Sequence, residues 1–197
     1  DRDADGGDKN PHSLMAHGMS YLAGSGVTLC ARVSHRTSRE AASVGVAATT
    51  ALQLLRDDGK VQPGQKVLIN GASGGVGTFA IQLARHLGAQ VATTASAKNH
   101  ALVQALGADV AIDYQTSRFE AVVKDQDVVL DTQGGDTLLR SFDAVKRGGV
   151  VVTIGGRPDG TFARAWGLSL PLVWVLGFLN RKVDRRASEK SVRFHYL

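Results

Sequence analysis

The chain has 197 residues, 43% of them hydrophobic and 21% charged, which suits one full globular domain and argues against a fibrous or highly charged disordered protein. Its net charge of +5 is concentrated, since residues 181–193 hold six basic side chains against two acids; the rest is near neutral, so nucleic-acid binding is not expected. The single cysteine, Cys30, excludes an internal disulfide and a cysteine-cluster zinc site and fits a reducing compartment.

Residues 1–37 lack an apolar period and read as an unassigned, partly disordered lead. A helix is expected from Thr37, with Thr37 or Ser38 as cap and Glu40 in its first turn. A second helical stretch covers residues 47–55 and stops before the turn signal Asp58-Gly59. Pro63-Gly64 then leads into the stretch around which the chain is organised, Lys66-Val-Leu-Ile-Asn-Gly-Ala-Ser-Gly-Gly-Val-Gly77. It predicts a buried strand at 67–69, a glycine-rich turn, and a helix with Val76, Phe79, Ala80, Leu83, Ala84 and Leu87 on its apolar face. Gly88 closes that helix. Downstream the pattern repeats: a strand at 90–94, a helix over 98–106 closed by Gly107, a strand at 110–112, and a short helix over 119–124. A strand at 127–131, a helix over 136–145 and a strand at 150–154 follow, the last entered through Gly148-Gly149. A further helix is expected over 168–187 and a sixth strand at 192–197. Apolar strands alternating with helices predict an α/β fold, a doubly wound, Rossmann-type parallel sheet. The apolar run at 168–179 is shorter than the ~20 residues of a membrane span. With no basic-then-apolar leader, a soluble cytoplasmic protein without membrane contact is expected.

Strand, glycine turn and helix start together form a seat for a phosphate, because bare backbone approaches the anion and the helix start presents free N–H groups. At the dinucleotide spacing the positions are Ala72, Gly74 and Gly77, so alanine replaces the first glycine and Gly71 stands one residue before it. No acid lies between Gly77 and Asp109, and the segment after the second strand is Thr93-Thr94-Ala95-Ser96-Ala97-Lys98. NAD-binding versions of the fold place a carboxylate there; hydroxyls and an ammonium instead favour the 2′-phosphate of NADP. The plainer alternative has Ser96 capping the second helix and Lys98 solvated.

Other positions stay open between chemistry and architecture. Tyr114 lies beside the adenosine end or is a surface tyrosine. Asp131 is a general acid or a structural aspartate holding the next loop. Gly155 and Gly156 let a ring lie against bare backbone or form a simple turn. The six histidines show no ligand spacing, His86 is expected on the surface, and no metal site is expected. Neither a Gly-x-Ser-x-Gly elbow nor a lysine after Gly77 is present, so hydrolase and triphosphatase readings lack support.

These pieces resemble the quinone oxidoreductase and zinc-type alcohol dehydrogenase-like branch of the medium-chain dehydrogenase/reductase superfamily. The resemblance is carried by Glu40-Ala41-Ala42-Ser43, Thr50-Ala51-Leu52, Val61 to Ile69, Gly71-Ala72-Ser73-Gly74-Gly75-Val76-Gly77, Leu106-Gly107-Ala108-Asp109, Ile112-Asp113-Tyr114, Val129-Leu130-Asp131 and Gly148-Gly149. It implies an NADP-binding domain over residues 38–197, with the pyrophosphate over Ser73, Gly74, Gly75, Val76 and Gly77. It further implies Ser96, Lys98 and Tyr114 around the 2′-phosphate, and Thr50, Ile154 and Gly155 near the nicotinamide. The implied reaction is hydride transfer between NADPH and a quinone, enone or carbonyl, with no catalytic residue assigned; a homodimer is compatible with it. Two departures stand out. The GroES-like substrate domain of the family does not fit in residues 1–37, and the chain stops after the sixth strand where the family continues. Both lead to the expectation of a domain truncated at its two ends, and to the alternative of a catalytically incomplete NADP-binding module. Gly45 also stands where the family usually has proline.

Overall fold

The computed structural model describes residues 44–155 and 181–197. The expected lead, the helix from Thr37, Cys30, Gly156 and the 168–179 run lie outside the described residues. All but Val44 and Gly45 belong to one compact unit, Val46–Leu197.

Six strands form one sheet: β1 (Lys66–Asn70), β2 (Gln90–Ala95), β3 (Val110–Asp113), β4 (Gln126–Asp131), β5 (Val145–Thr153) and β6 (Arg193–Tyr196). Their order is β3-β2-β1-β4-β5-β6 and every neighbouring pair is parallel. This is the expected doubly wound sheet, and its order places the reversal between β1 and β4. A π-type segment Val44–Ala48, the α-helical turn α1 (Thr49–Leu52) and a second π-type segment Gln53–Asp58 precede β1. The longer helices are α2 (Gly75–His86) and α5 (Gly135–Ala144), with shorter α3 (His100–Ala105) and α4 (Phe119–Val122) between them. Residues 181–190 are also helical.

Alternation within each strand divides the core. Leu68, Ala92, Ile112, Val129 and Val151 face a cluster with Phe119 of α4 and Leu138 and Phe142 of α5. Val183, Ala187 and Phe194 pack against the same cluster. Val67, Ile69, Val91, Val128 and Leu130 point to the opposite face and are fully or almost fully buried, and α2 packs on β1 and β2. Each large apolar side chain fully withdrawn from water contributes about 2 kcal/mol, so both faces must be covered; this is why the strands carry few polar residues before their carboxyl ends.

Both predicted glycine closures are present as paired caps. Gly88 (φ +80°) donates its N–H to Arg85 O at 3.0 Å while Ala89 donates to Ala84 O at 3.0 Å. Gly107 and Ala108 repeat this on Gln104 and Val103. Asp109 anchors the chain beyond: its carboxylate accepts the Val91 N–H at 2.8 Å and pairs with Arg85.

Several boundaries differ from expectation. The buried residues of α2 are Gly77, Ala80, Ile81, Leu83 and Ala84, whereas Val76, Phe79 and Leu87 are half-buried. The helix is sandwiched between the sheet and α1, so its apolar arc is wider than one stripe. β5 begins at Val145, paired with Gln126, and the register shifts before Val128 meets Val150. Gly148 and Gly149 are therefore an irregularity within the strand rather than its entrance. Gly149 needs to be glycine there, since a Cβ would lie 2.9 Å from Asp127 O. Ile154 lies just past β5, and Val192 and Leu197 flank β6. The second helix is a 3-10 turn, Ala97–Asn99, followed by α3; the short helix α4 ends at Val122. Among the described residues no helix is long and apolar enough to cross a membrane.

Candidate functional site

At the carboxyl end of β1 the chain turns at Gly71, whose φ of +75° favours glycine. Ala72 donates its N–H to Thr94 O at 3.1 Å, and Gly74 donates back to Gly71 O at 3.1 Å. Helix α2 then starts without a side-chain cap and without an acid in its first turn. Within the helix, the N–H groups of Gly75, Val76 and Gly77 have no carbonyl to reach. A Cβ on Gly77 would sit 2.6 Å from Ala72 Cα and 2.7 Å from Gly71 O, so the turn lies directly on the first turn of the helix. Gly75 is the opposite case: it is exposed and a Cβ there would touch nothing within 4 Å. One glycine lets the backbone close up, and the other leaves the approach to the helix start clear. Such a cradle fits a pyrophosphate.

Polar side chains buried at the strand ends hold this turn. Asn70 donates to Ser141 Oγ at 3.0 Å on α5. Its Oδ1 accepts from the Thr94 hydroxyl at 3.2 Å, and Thr94 Oγ1 accepts the Gly71 N–H at 3.1 Å. A second set surrounds Asp131, which is fully buried. Its Oδ2 accepts the Gly134 N–H at 2.7 Å and lies 3.1 Å from the Thr153 hydroxyl. Burial pushes the Asp131 carboxyl above its usual range, and the Gly134, Thr153 and Gln133 donors partly offset this. Asp131 is thus a structural aspartate that fastens the loops after β4 and β5.

The adenosine side is built differently. Ser96 is 9% exposed and accepts from Asn99 Nδ2 at 3.3 Å; its side chain makes no cap to the helix, so the capping alternative is not what this serine does. Lys98 is exposed, and Tyr114, just past the neighbouring strand β3, is 60% exposed. The pairing of β2 with β3 sets Asp113 beside Ala95. An acid that is distant in sequence is therefore near in space, although its carboxylate accepts the Gln115 N–H at 3.0 Å. His86 is exposed, as expected.

Ser73 to Gly77 are consecutive at the turn and the start of α2, with Gly74 and Gly75 exposed and Gly77 buried, and Ser96, Lys98 and Tyr114 follow β2 and β3 at their carboxyl ends. Thr50 is half-buried on α1, which packs on α2, while Ile154 and Gly155 follow β5. A Cβ on Gly155 would lie 2.6 Å from Gly134 N, so the loop after β4 fills the space beside this glycine. That contact accounts for the glycine without any ring against it. The sequence analysis assigns no role of their own to Asn70 and Ser141, and it counts Thr94 among the hydroxyls that favour a 2′-phosphate, whereas the Thr94 hydroxyl is buried and bonded to Asn70 and Gly71. Their signal was a polar residue closing an apolar strand, or facing the sheet from an amphipathic helix. Among the described residues no three His, Cys, Asp or Glu side chains converge as metal ligands.

The family model of zinc-binding dehydrogenases matches residues 75–178. The chain is 39% identical to polyketide synthase GfsB of Streptomyces halstedii, over 72% of this chain and 3% of that protein. It is 40% identical to 2-methylene-furan-3-one reductase of Solanum lycopersicum, over 59% of this chain and 30% of that protein. The structure of the quinone oxidoreductase from Coxiella burnetii superposes with a TM-score of 0.61 at 33% identity, covering 80% of this chain and 43% of that one. The chain therefore spans less than half the length of each of these three relatives.

Proposed function

Because the chain belongs to the zinc-binding dehydrogenase family, within the medium-chain dehydrogenases/reductases, whose members are oxidoreductases with an NAD(P)-binding domain of this fold, we propose that residues 38–197 are the NADP-binding domain of an NADP(H)-dependent oxidoreductase. The bound dinucleotide supplies a hydride to, or takes one from, a quinone, an enone or a carbonyl compound. The residues of this chain bind and orient it. Gly75, Val76 and Gly77 donate backbone N–H groups to the pyrophosphate, Ser73 and Gly74 line its approach, and the Asn70–Thr94 hydrogen bonds keep that turn in place. Ser96, Lys98 and Tyr114 receive the 2′-phosphate, while Thr50, Ile154 and Gly155 border the nicotinamide. Substrate contacts and any proton donor come from outside the described residues, and no step is assigned to a metal.

The observation that supports this reading is the contact of Gly77 with Ala72 and Gly71, which lays the glycine turn directly on the start of α2. Two relatives, a quinone oxidoreductase and a 2-methylene-furan-3-one reductase, support the substrate class. Fluorescence titration tests the cofactor. NADPH is expected to bind at least about tenfold more tightly than NADH, and Lys98→Ala to narrow that gap; equal affinities remove the NADP assignment. A second reading is a catalytically incomplete NADP-binding module. It is favoured by Asp131, the buried carboxylate at this edge, being committed to the loops. Binding of NADPH without its consumption across a panel of quinones and enones selects that reading, whereas turnover ends it.

A further inference from the structure

Asn70 closes β1 and is followed by Gly71, the one Asn-Gly pair in the chain. Such a pair is prone to deamidate, because glycine leaves the next backbone nitrogen unhindered for attack on the side-chain amide. Here the glycine is forced on the chain. A Cβ on Gly71 would lie 2.2 Å from Gln133 Nε2 and 2.3 Å from Thr132 Oγ1, and the Gly71 φ of +75° favours glycine in any case. Asn70 is fully buried and uses both ends of its amide. Ser141 gives its hydroxyl proton to Thr137 O at 2.9 Å, so its Oγ accepts, and the Asn70 NH2 donates to it at 3.0 Å. The other end, Oδ1, accepts from the Thr94 hydroxyl at 3.2 Å, and the same Thr94 oxygen accepts the Gly71 N–H at 3.1 Å. One hydroxyl therefore holds both reacting groups, the amide that would be attacked and the nitrogen that would attack.

We infer that Asn70 is a deamidation site kept closed by the fold, with Thr94 as its lock and Ser141 as its second anchor. In the opened turn the Gly71 nitrogen gives up its proton and bonds to Asn70 Cγ, and the side-chain amide leaves as ammonia. Water then opens the cyclic imide to aspartate or isoaspartate. In the closed turn Asn70 is paired with Asp131 in the sheet, its backbone extended and its amide pinned at both ends, so Cγ does not swing onto the nitrogen. The products do not fit the turn. Aspartate puts a carboxylate against a Ser141 hydroxyl whose proton is already given to Thr137 O, and isoaspartate adds a methylene to the backbone between β1 and Gly71. The inference stands independently of what the turn binds.

The test incubates the chain at mildly alkaline pH and follows the tryptic peptide 67–85, in which Asn70 is the single asparagine, by mass spectrometry. Unfolded in urea, the chain is expected to deamidate at Asn70 readily, and folded to keep it intact. Thr94→Val is expected to speed deamidation of the folded chain about tenfold, the weight of the two lost bonds, because reaction proceeds from the opened turn. Ser141→Ala, which frees the other end of the amide, is expected to speed it about fivefold. Thr94→Ser keeps the hydroxyl and is expected to match the unaltered chain. Equal rates in the folded and unfolded chain overturn the inference, as does a folded Thr94→Val chain no faster than the unaltered one. Acceleration by Thr94→Ser as large as by Thr94→Val makes the effect a general loosening and overturns it too. If Thr94→Val does not fold, Ser141→Ala and Thr94→Ser decide on the same terms.

Discussion

The carboxyl edge of the sheet has two halves, and they are made in different ways. Over β1, β4 and β5 the loops are joined by buried groups: Asn70, Ser141, Asp131 and Thr153, with Thr94 reaching across from β2, are each no more than 5% exposed and hydrogen-bonded to another loop, strand or helix. Over β2 and β3 the residues in question are Lys98 and Tyr114, both exposed, with Ser96 bonded only to a neighbour three residues on. On the proposed reading, the half that would seat what all dinucleotides share is continuous with the core. The half that would tell NAD from NADP holds the exposed Lys98 and Tyr114, where a substitution disturbs little packing. Seating and cofactor choice are therefore separable by mutation.

The largest break in the first half is expected from Gly77→Val. Its side chain would press on Ala72 and Gly71 backbone at 2.6–2.7 Å, which costs about 3 kcal/mol and abolishes binding of NADPH and NADH alike; denaturant unfolding and titration measure the two effects. Asp131→Ala comes next. It leaves the Gly134 N–H without its buried acceptor, at about 2 kcal/mol, and loosens the loop after β4. Lys98→Ala sharpens the contrast, because it changes the NADPH-to-NADH ratio and leaves the melting temperature within about a degree.

The smallest effect concerns the joint between the halves, where Arg140 of α5 forks onto Glu120 of α4 at 2.9 and 2.8 Å. The Arg140 hydrogen bonds hold the Glu120 carboxyl below its usual range, against a smaller opposing effect of burial. The stability this brings is present above the unfolded glutamate value of about 4.3 and is lost as pH falls through the lower folded value. Glu120→Gln is expected to cost about 1 kcal/mol at pH 7, with a difference from the unaltered chain that shrinks below about pH 4 in denaturant unfolding.

Much of this architecture is legible in the chain itself. Runs such as Val67-Leu68-Ile69 and Val150-Val151-Val152 mark strands buried on both faces, and Gly88 and Gly107 end their helices where the chain must reverse. Local pattern was weaker where partners decide. Ile81 is fully buried on α2, a helix that packs against both the sheet and α1. Val145 joins β5 because Gln126 offers it a partner. The acid-free segment after β2 is real as sequence, but strand pairing sets Asp113 against Ala95, which no reading along the chain registers. Likewise, Gln133 looks like an ordinary loop residue until Gly71 is found beneath it.

The central claim is that a dinucleotide is seated by the backbone at the start of α2. The most direct test follows the amide resonances of Gly75, Val76 and Gly77 by ¹⁵N NMR as the chain is saturated with NADPH. The account predicts that these three amides shift strongly while Gly148, in the irregular part of β5, does not. Saturation of binding with Gly75, Val76 and Gly77 unmoved would contradict it.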